Sequence, residues 1–108
     1  MPAELEVHRS DLWWADVPND KRRPVLVLTR ERMISRLTKV LVAPVTTTVR
    51  GIVSEVPLSR LEGLPRNCAA NFDNLFTIDM AAFVARIGRL DATRSDEMCR
   101  ALRFAAAC

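Results

Sequence analysis

Short, unbroken aliphatic runs constrain this chain more than any other feature. Val25-Leu26-Val27-Leu28 is four residues long, follows Lys21-Arg22-Arg23-Pro24, and ends at Thr29. Val40-Leu41-Val42-Ala43 is a second run, extended by Pro44-Val45-Thr46. Runs this short, bounded by turn-forming residues, read as strands buried on both faces. Pro24 is allowed at the opening of its strand, where no ladder donor is needed. Pro44, inside the other strand, predicts an edge position or a bulge. None of these stretches approaches the ~20 apolar residues of a membrane-spanning helix.

Weaker strand patterns surround these two. Residues 11–17, Asp-Leu-Trp-Trp-Ala-Asp-Val, stop at the turn cluster Pro18-Asn19-Asp20. Alternation there sends one of Trp13 and Trp14 inward and the other outward. Residues 31–38 are polar and irregular and read as a surface loop. Residues 52–58 alternate in part, as a half-exposed strand does. Cys68 to Asn71 and Thr77-Ile78 read as short strands around Asp73-Asn74. Over residues 84–90, Val84, Ile87 or Ala85, and Leu90 are expected inward and Arg86 and Arg89 outward, with Gly88 permitting a bulge. A helix closes the chain. Thr93 is its expected N-cap, Asp96 and Glu97 suit the first turn, and Met98, Ala101, Leu102 and Ala105 form its apolar stripe. Strands in series joined by turn-rich loops predict a mainly β fold, a small antiparallel sheet or barrel with a C-terminal helix, and not a βαβ unit. The 108 residues, 49% hydrophobic and 27% charged, amount to one domain spanning 1–108.

Composition narrows the chemistry. The three cysteines, Cys68, Cys99 and Cys108, are odd in number and widely spaced, so neither a disulfide framework nor a zinc motif is implied. His8 is the single histidine, flanked by charges and expected in solvent, which leaves no histidine cluster for a metal. No phosphate-binding glycine loop is present. Metal and cofactor are therefore both expected to be none. The N-terminus lacks a basic-then-apolar leader, which points to the cytoplasm. Net charge is +3, and all but two of the 16 cationic residues are arginine. A basic balance of this kind suits a phosphate-bearing partner, because the guanidinium fork matches phosphate oxygens.

One constellation gathers these properties. Arg23 opens the second strand and Thr46 ends the third. If the two strands pair antiparallel, both residues meet at one sheet edge. Lys21 and Arg22 flank the first; Thr47, Thr48 and Arg50 flank the second. A guanidinium, hydroxyls and further cations at one edge make a phosphate site; periodicity alone reads the same residues as a solvated basic turn beside a threonine-rich strand end.

At these residues the sequence resembles the MazF/PemK family, toxins of type II toxin–antitoxin systems. The resemblance is carried, in order, by Asp11-Leu12-Trp13-Trp14-Ala15-Asp16, Arg23-Pro24-Val25-Leu26-Val27-Leu28, Ala43-Pro44-Val45-Thr46-Thr47-Thr48 and Ser54-Glu55-Val56-Pro57-Leu58, and extends through Arg86-Ile87-Gly88-Arg89-Leu90. It implies an SH3-like, strongly twisted antiparallel barrel working as a homodimer. It implies metal-independent endoribonuclease activity on single-stranded RNA, with the substrate's 2′-hydroxyl as nucleophile. Arg23 and Thr46 are then catalytic, with Lys21, Arg22, Thr47, Thr48, Arg50 and Arg86 binding RNA. The implied partner is a MazE-like antitoxin whose acidic segment competes with RNA near Arg22, Arg23 and Arg50. The sequence departs from the family in a short loop before Arg23, in Ser10 where relatives carry glycine, and in Phe76 where a basic residue is common. Two other functions fit such a barrel, a CcdB-like gyrase-poisoning toxin and a non-catalytic RNA-binding module. The pair Arg23 and Thr46 favours the nuclease, since a gyrase binder has no need of it.

Overall fold

Seven antiparallel strands form one strongly curled sheet in the computed structural model, which describes residues 6–106. They are β1 (Asp11–Asp16), β2 (Arg22–Val27), β3 (Lys39–Thr46), β4 (Glu55–Leu58), β5 (Cys68–Asn71), β6 (Phe76–Asp79) and β7 (Phe83–Arg89). Their order is β4-β5-β3-β2-β1-β7, with β6 also paired to β3. Two helices are appended, α1 (Glu31–Ile34) and α2 (Ser95–Ala105). The mainly β fold with a closing helix is the one expected. Among the described residues no helix is long and apolar enough to cross a membrane.

The aliphatic runs are buried on both faces because the sheet has a core on each side. Side chains alternate along a strand. Leu26 and Leu28 enter one core, with Leu12, Ala43, Val45, Val56, Phe72, and Met98 and Ala101 of α2. Val25 and Val27 enter the other, with Trp13, Ala15, Val40, Val42, Ile78 and Phe83. Each fully buried aliphatic or aromatic side chain contributes about 1.5–3 kcal/mol relative to exposure. Trp13 is the inward tryptophan and meets Phe83 edge to face, ring centroids 5.7 Å apart. Trp14 is half-buried.

Several expectations change. Residues 31–38 are not wholly a surface loop: α1 forms there and Ile34 is buried in the second core. Pro44 is neither at an edge nor in a bulge. β6 covers residues 39–42 of β3 and β5 covers Val45 and Thr46. Pro44 therefore falls between the two partners, where its missing N–H breaks no ladder bond. The strand expected over 52–58 is only β4; residues 52–54 turn, with Glu55 N donating to Ile52 O at 3.0 Å. Along β7, Phe83 rather than Val84 faces inward, and Val84 is 40% exposed. The cause lies in two register shifts against β1, which leave Val84 and Ile87 as the extra residues. Gly88, beside the second shift, is required by space: a Cβ there would lie 2.1 Å from the Glu62 carbonyl oxygen. Thr93 is not the helix cap. Asp91 caps a 3-10 turn ahead of α2, accepting from Thr93 N at 2.9 Å, a bond that lowers the Asp91 pKa. His8 is not simply solvated either, because its Nδ1 lies 2.6 Å from Glu31 Oε2. Cys68 and Cys99 are free thiols; burial, and after it the Glu62 charge, pushes the Cys68 pKa up. Cys108 lies outside the described residues.

Candidate active site

The register of β2 against β3 builds the site. Val27 pairs with Val42, Leu26 with Ala43 and Val25 with Pro44. The β2–β3 pairing ends there; continued two residues in the same register, it brings the Arg23 end of β2 toward the Thr46 end of β3. Alternation puts both on the face that holds Val25, Val27 and Val42. The second core's aliphatic columns thus end in a guanidinium on one strand and a hydroxyl on the next. Neither backbone is free to drift. Arg23 also pairs with Ala15 of β1, and Thr46 with Ala69 of β5.

The two side chains are prepared differently. Thr46 Oγ1 accepts a hydrogen bond from Thr48 N at 3.0 Å. That bond fixes the hydroxyl oxygen and leaves its O–H free to donate. Arg23 is one-third exposed, and its Nε lies 3.4 Å from Asp20 Oδ2. This Nε is shut off from solvent and has no hydrogen-bond partner among the described residues. An unsatisfied buried donor is rare in folded proteins. Here it sits on the residue that two independent sequence cues single out.

The flanking residues divide. Lys21, Thr47 and Thr48 are exposed beside the pair. Arg22 donates to Asp16 Oδ1 at 2.8 Å, and that bond raises its pKa. Arg50 is half exposed, with Nε 3.4 Å from Glu55 Oε2 and Nη2 3.9 Å from Asp73 Oδ2. Arg86 is the outlier. It pairs with Trp13 across β1–β7, two strands from Arg23, with Nη2 3.5 Å from Asp11 Oδ1.

Three acids escaped the sequence reading. Asp11 is fully buried, accepting from His8 N at 2.9 Å and Trp13 Nε1 at 3.3 Å. Glu55 is buried at the start of β4. Asp20 faces Arg23 from the β1–β2 turn. Periodicity gives no sign of any of them; an acid opening an apolar strand, as Asp11 and Glu55 both do, is the one available cue. A cavity of about 980 Å³ lies at the other end of the sheet, near Ser10, Arg89 and Thr93. It touches neither Arg23 nor Thr46.

A small, strongly curled antiparallel sheet with a closing helix is the fold class to which the chain belongs. The pattern of a PemK-like, MazF-like toxin of type II toxin–antitoxin systems matches residues 8–105. The chain belongs to that family. It is 43% identical over 101 residues to the probable endoribonuclease MazF5 of Mycobacterium tuberculosis, covering 93% of each chain. It superposes on the Mycobacterium tuberculosis toxin MazF-mt6 with a TM-score of 0.84 at 40% identity, over 89% of this chain and 95% of that one. The fold is shared, at 20% identity and a TM-score of 0.81, with a mycobacterial endoribonuclease solved in complex with its cognate antitoxin; 94% of this chain and 95% of that one are covered.

Proposed function

We propose that the Arg23–Thr46 edge is the active site of a metal-independent endoribonuclease acting on single-stranded RNA. The chain is the toxin of a type II toxin–antitoxin system by family, and its 43% identical relatives are named endoribonucleases. What supports the site assignment is the β2–β3 register, which runs from Val27–Val42 to Val25–Pro44 and, continued two residues, brings Arg23 toward Thr46.

The chemistry follows from the donors. The RNA 2′-oxygen attacks the adjacent phosphorus, loses its proton, and forms a new P–O bond. The bond from phosphorus to the 5′-oxygen breaks, and that oxygen gains a proton. The products are a 2′,3′-cyclic phosphate and a 5′-hydroxyl. Negative charge builds on the nonbridging oxygens in the transition state. Arg23 answers it with charge-assisted hydrogen bonds and Thr46 with its free O–H. Such preorganised donors are worth about 2.7–4 kcal/mol each in other enzymes. A guanidinium holds its proton too tightly to act as the base. Charge stabilisation is therefore the role of Arg23. Lys21, Thr47, Thr48, and the exposed sides of Arg22, Arg50 and Arg86 supply RNA contacts. Displacing Asp20 and Asp16 from Arg23 and Arg22 is the step that RNA phosphates perform on binding.

A homodimer in the cytoplasm, restrained by a MazE-like antitoxin, completes the reading. Closed two-fold pairing is the commonest way to cover sheet edges such as β4 and β7. An acidic antitoxin segment satisfies the same cations as RNA does, so the two exclude one another. The test is cleavage of a single-stranded RNA in excess EDTA, followed by end-group analysis. The reading requires undiminished cleavage with cyclic phosphate and 5′-hydroxyl ends. Loss of cleavage in EDTA, or 5′-phosphate ends, contradicts it.

A further inference from the structure

We infer that Glu55 is a positioning residue for RNA cleavage: it anchors the turn that follows Thr46 and so holds the Thr46 hydroxyl in place. The inference rests on the active-site reading above. The Glu55 side chain is only 2% exposed, and a carboxylate buried this far must be hydrogen-bonded. Its donors come from the turn. Oε1 accepts from Arg50 N at 2.9 Å and from Gly51 N at 3.0 Å. Oε2 accepts from Arg50 Nε at 3.4 Å. Residues 47–54 form no strand or helix. Gly51 takes a φ of +69° there, the left-handed region where glycine is at ease. One carboxylate therefore gathers the N–H groups that secondary structure would otherwise have satisfied.

The frame behind this anchor is rigid, and it is shared with Thr46. β5 pairs with β3 on one side and β4 on the other. Thr46 lies opposite Ala69 and Glu55 opposite Asn71, so both are set on one strand two residues apart. Asn71 Oδ1 accepts from Asp73 N at 2.9 Å. Asp73 Oδ2 accepts from Ser54 Oγ at 2.7 Å and lies 3.9 Å from Arg50 Nη2. Between its two fixed ends the turn carries Thr48, whose N–H bonds Thr46 Oγ1. Releasing Arg50 and Gly51 lets Thr48 move, and the Thr46 hydroxyl with it. Glu55 touches no reacting atom; it acts through the turn.

The substitutions separate anchoring from folding. Glu55→Gln keeps a carbonyl oxygen able to accept from Arg50 N and Gly51 N. Glu55→Asp keeps the charge but draws it one methylene away from the turn. Full-length wild type, both variants and Arg23→Ala are compared by steady-state cleavage of one single-stranded RNA and by amide hydrogen exchange. Glu55→Asp should lower kcat between about tenfold and 100-fold, the scale of an ångström-sized misplacement. Its KM should stay within about threefold, because Thr46 acts in the transition state. Glu55→Gln should restore kcat to within about threefold of wild type. The Arg50 and Gly51 amides should be protected in wild type and Glu55→Gln and exchange fast in Glu55→Asp, while core amides stay protected in all three. A folded Glu55→Asp protein with wild-type kcat overturns the inference, as does fast exchange at Arg50 and Gly51 in the wild type. Full activity in Arg23→Ala would instead remove the active-site reading, and the exchange data would still decide whether Glu55 anchors the turn.

Discussion

Arg23 and Arg94 are indistinguishable as entries in an amino-acid count, yet the fold uses them in opposite ways. Arg94 is saturated. Its Nε and Nη2 reach the two carboxylate oxygens of Glu97 at 2.9 Å each, Nη1 reaches buried Glu62 at 3.3 Å, and Nη2 donates to the Pro57 carbonyl at 2.7 Å. These contacts, the bond to Glu97 first, raise its pKa and tie the start of α2 to β4 and to the turn at residues 60–62. Among the described residues Arg23 has Asp20 alone, at 3.4 Å, and keeps a buried Nε donor without a hydrogen-bond partner. Arg86 and Arg89 resemble Arg94, since both lie within 4.0 Å of fully buried Asp11. An arginine facing a buried acid is held by the scaffold, so that only its exposed side, as at Arg50 and Arg86, is left for RNA on the proposed reading. An arginine facing a turn acid, as Arg23 does, offers its whole head group once that acid is displaced. Charge density along the sequence does not separate the two; burial of the partner does.

Breaking the saturated arginine should have the larger effect on stability. Arg94→Ala leaves the Glu62 carboxylate, in a residue 8% exposed, without its cation. Removing one member of such a pair costs about 3–5 kcal/mol, and the value should fall near the lower end because Arg94 keeps 24% exposure. Urea unfolding measures this. RNA affinity of the folded fraction should stay within about twofold. An unchanged urea midpoint would show that Arg94 is not scaffold.

A smaller effect, of opposite sign, is expected at the end of the sheet where Asp11 binds its arginines. Ser10 has a φ of 74°. That conformation costs an L-residue other than glycine roughly 1–2 kcal/mol. Ser10→Gly relieves it, loses the 3.8 Å contact from Ser10 Oγ to Met98 Sδ, and gains freedom in the unfolded chain. The net result should be stabilisation by about 0.5–1 kcal/mol, with cleavage unaltered because Arg23 lies at the opposite strand end. Destabilisation in the same urea experiment would contradict the strain assignment.

The weakest expected effect concerns pH. The hydrogen bond to Glu31 raises the His8 pKa above 6.5, and the bond from His8 holds the Glu31 pKa below 4.5. The histidine contribution is complete below pH 6.5 and fades as pH rises through the folded His8 pKa. The glutamate contribution is complete above pH 4.5 and fades as pH falls through the folded Glu31 pKa. The pair therefore stabilises most between about pH 4.5 and 6.5. Because both side chains are about half exposed, its worth is about 0.5 kcal/mol. Wild type minus His8→Gln, measured by urea at pH 5.5 and pH 8, should show that difference at the lower pH only. An offset equal at both would rule the ion pair out.

The parts of this molecule that were legible in the sequence depend on pattern. Val25 to Leu28 read correctly as a doubly buried strand because four aliphatics cannot all face one way. The antiparallel pairing of β2 with β3, on which the Arg23–Thr46 expectation rests, was legible because successive short strands joined by a short connection pair that way. What stayed hidden depends on tertiary partners. Ile34 sits in a polar stretch and becomes buried only because the second core needs a cover. Thr93 has the chemistry of a cap, but Asp91 two residues earlier captures its N–H first. Pro44 looks wrong inside a strand until β3 is seen to change partners beside it. The roles of Glu55 and Asp11 rest on arginines and backbone groups that no local spacing brings together.

The division of arginines is tested most directly by Arg23→Ala, assayed for single-turnover RNA cleavage and for urea unfolding on one preparation. Removing one preorganised donor elsewhere has cost about 10²–10³ in rate. The expected result is a loss of that size with a urea midpoint equal to wild type, and the same pattern for Thr46→Ala. A folded Arg23→Ala protein that cleaves RNA at the wild-type rate would contradict it.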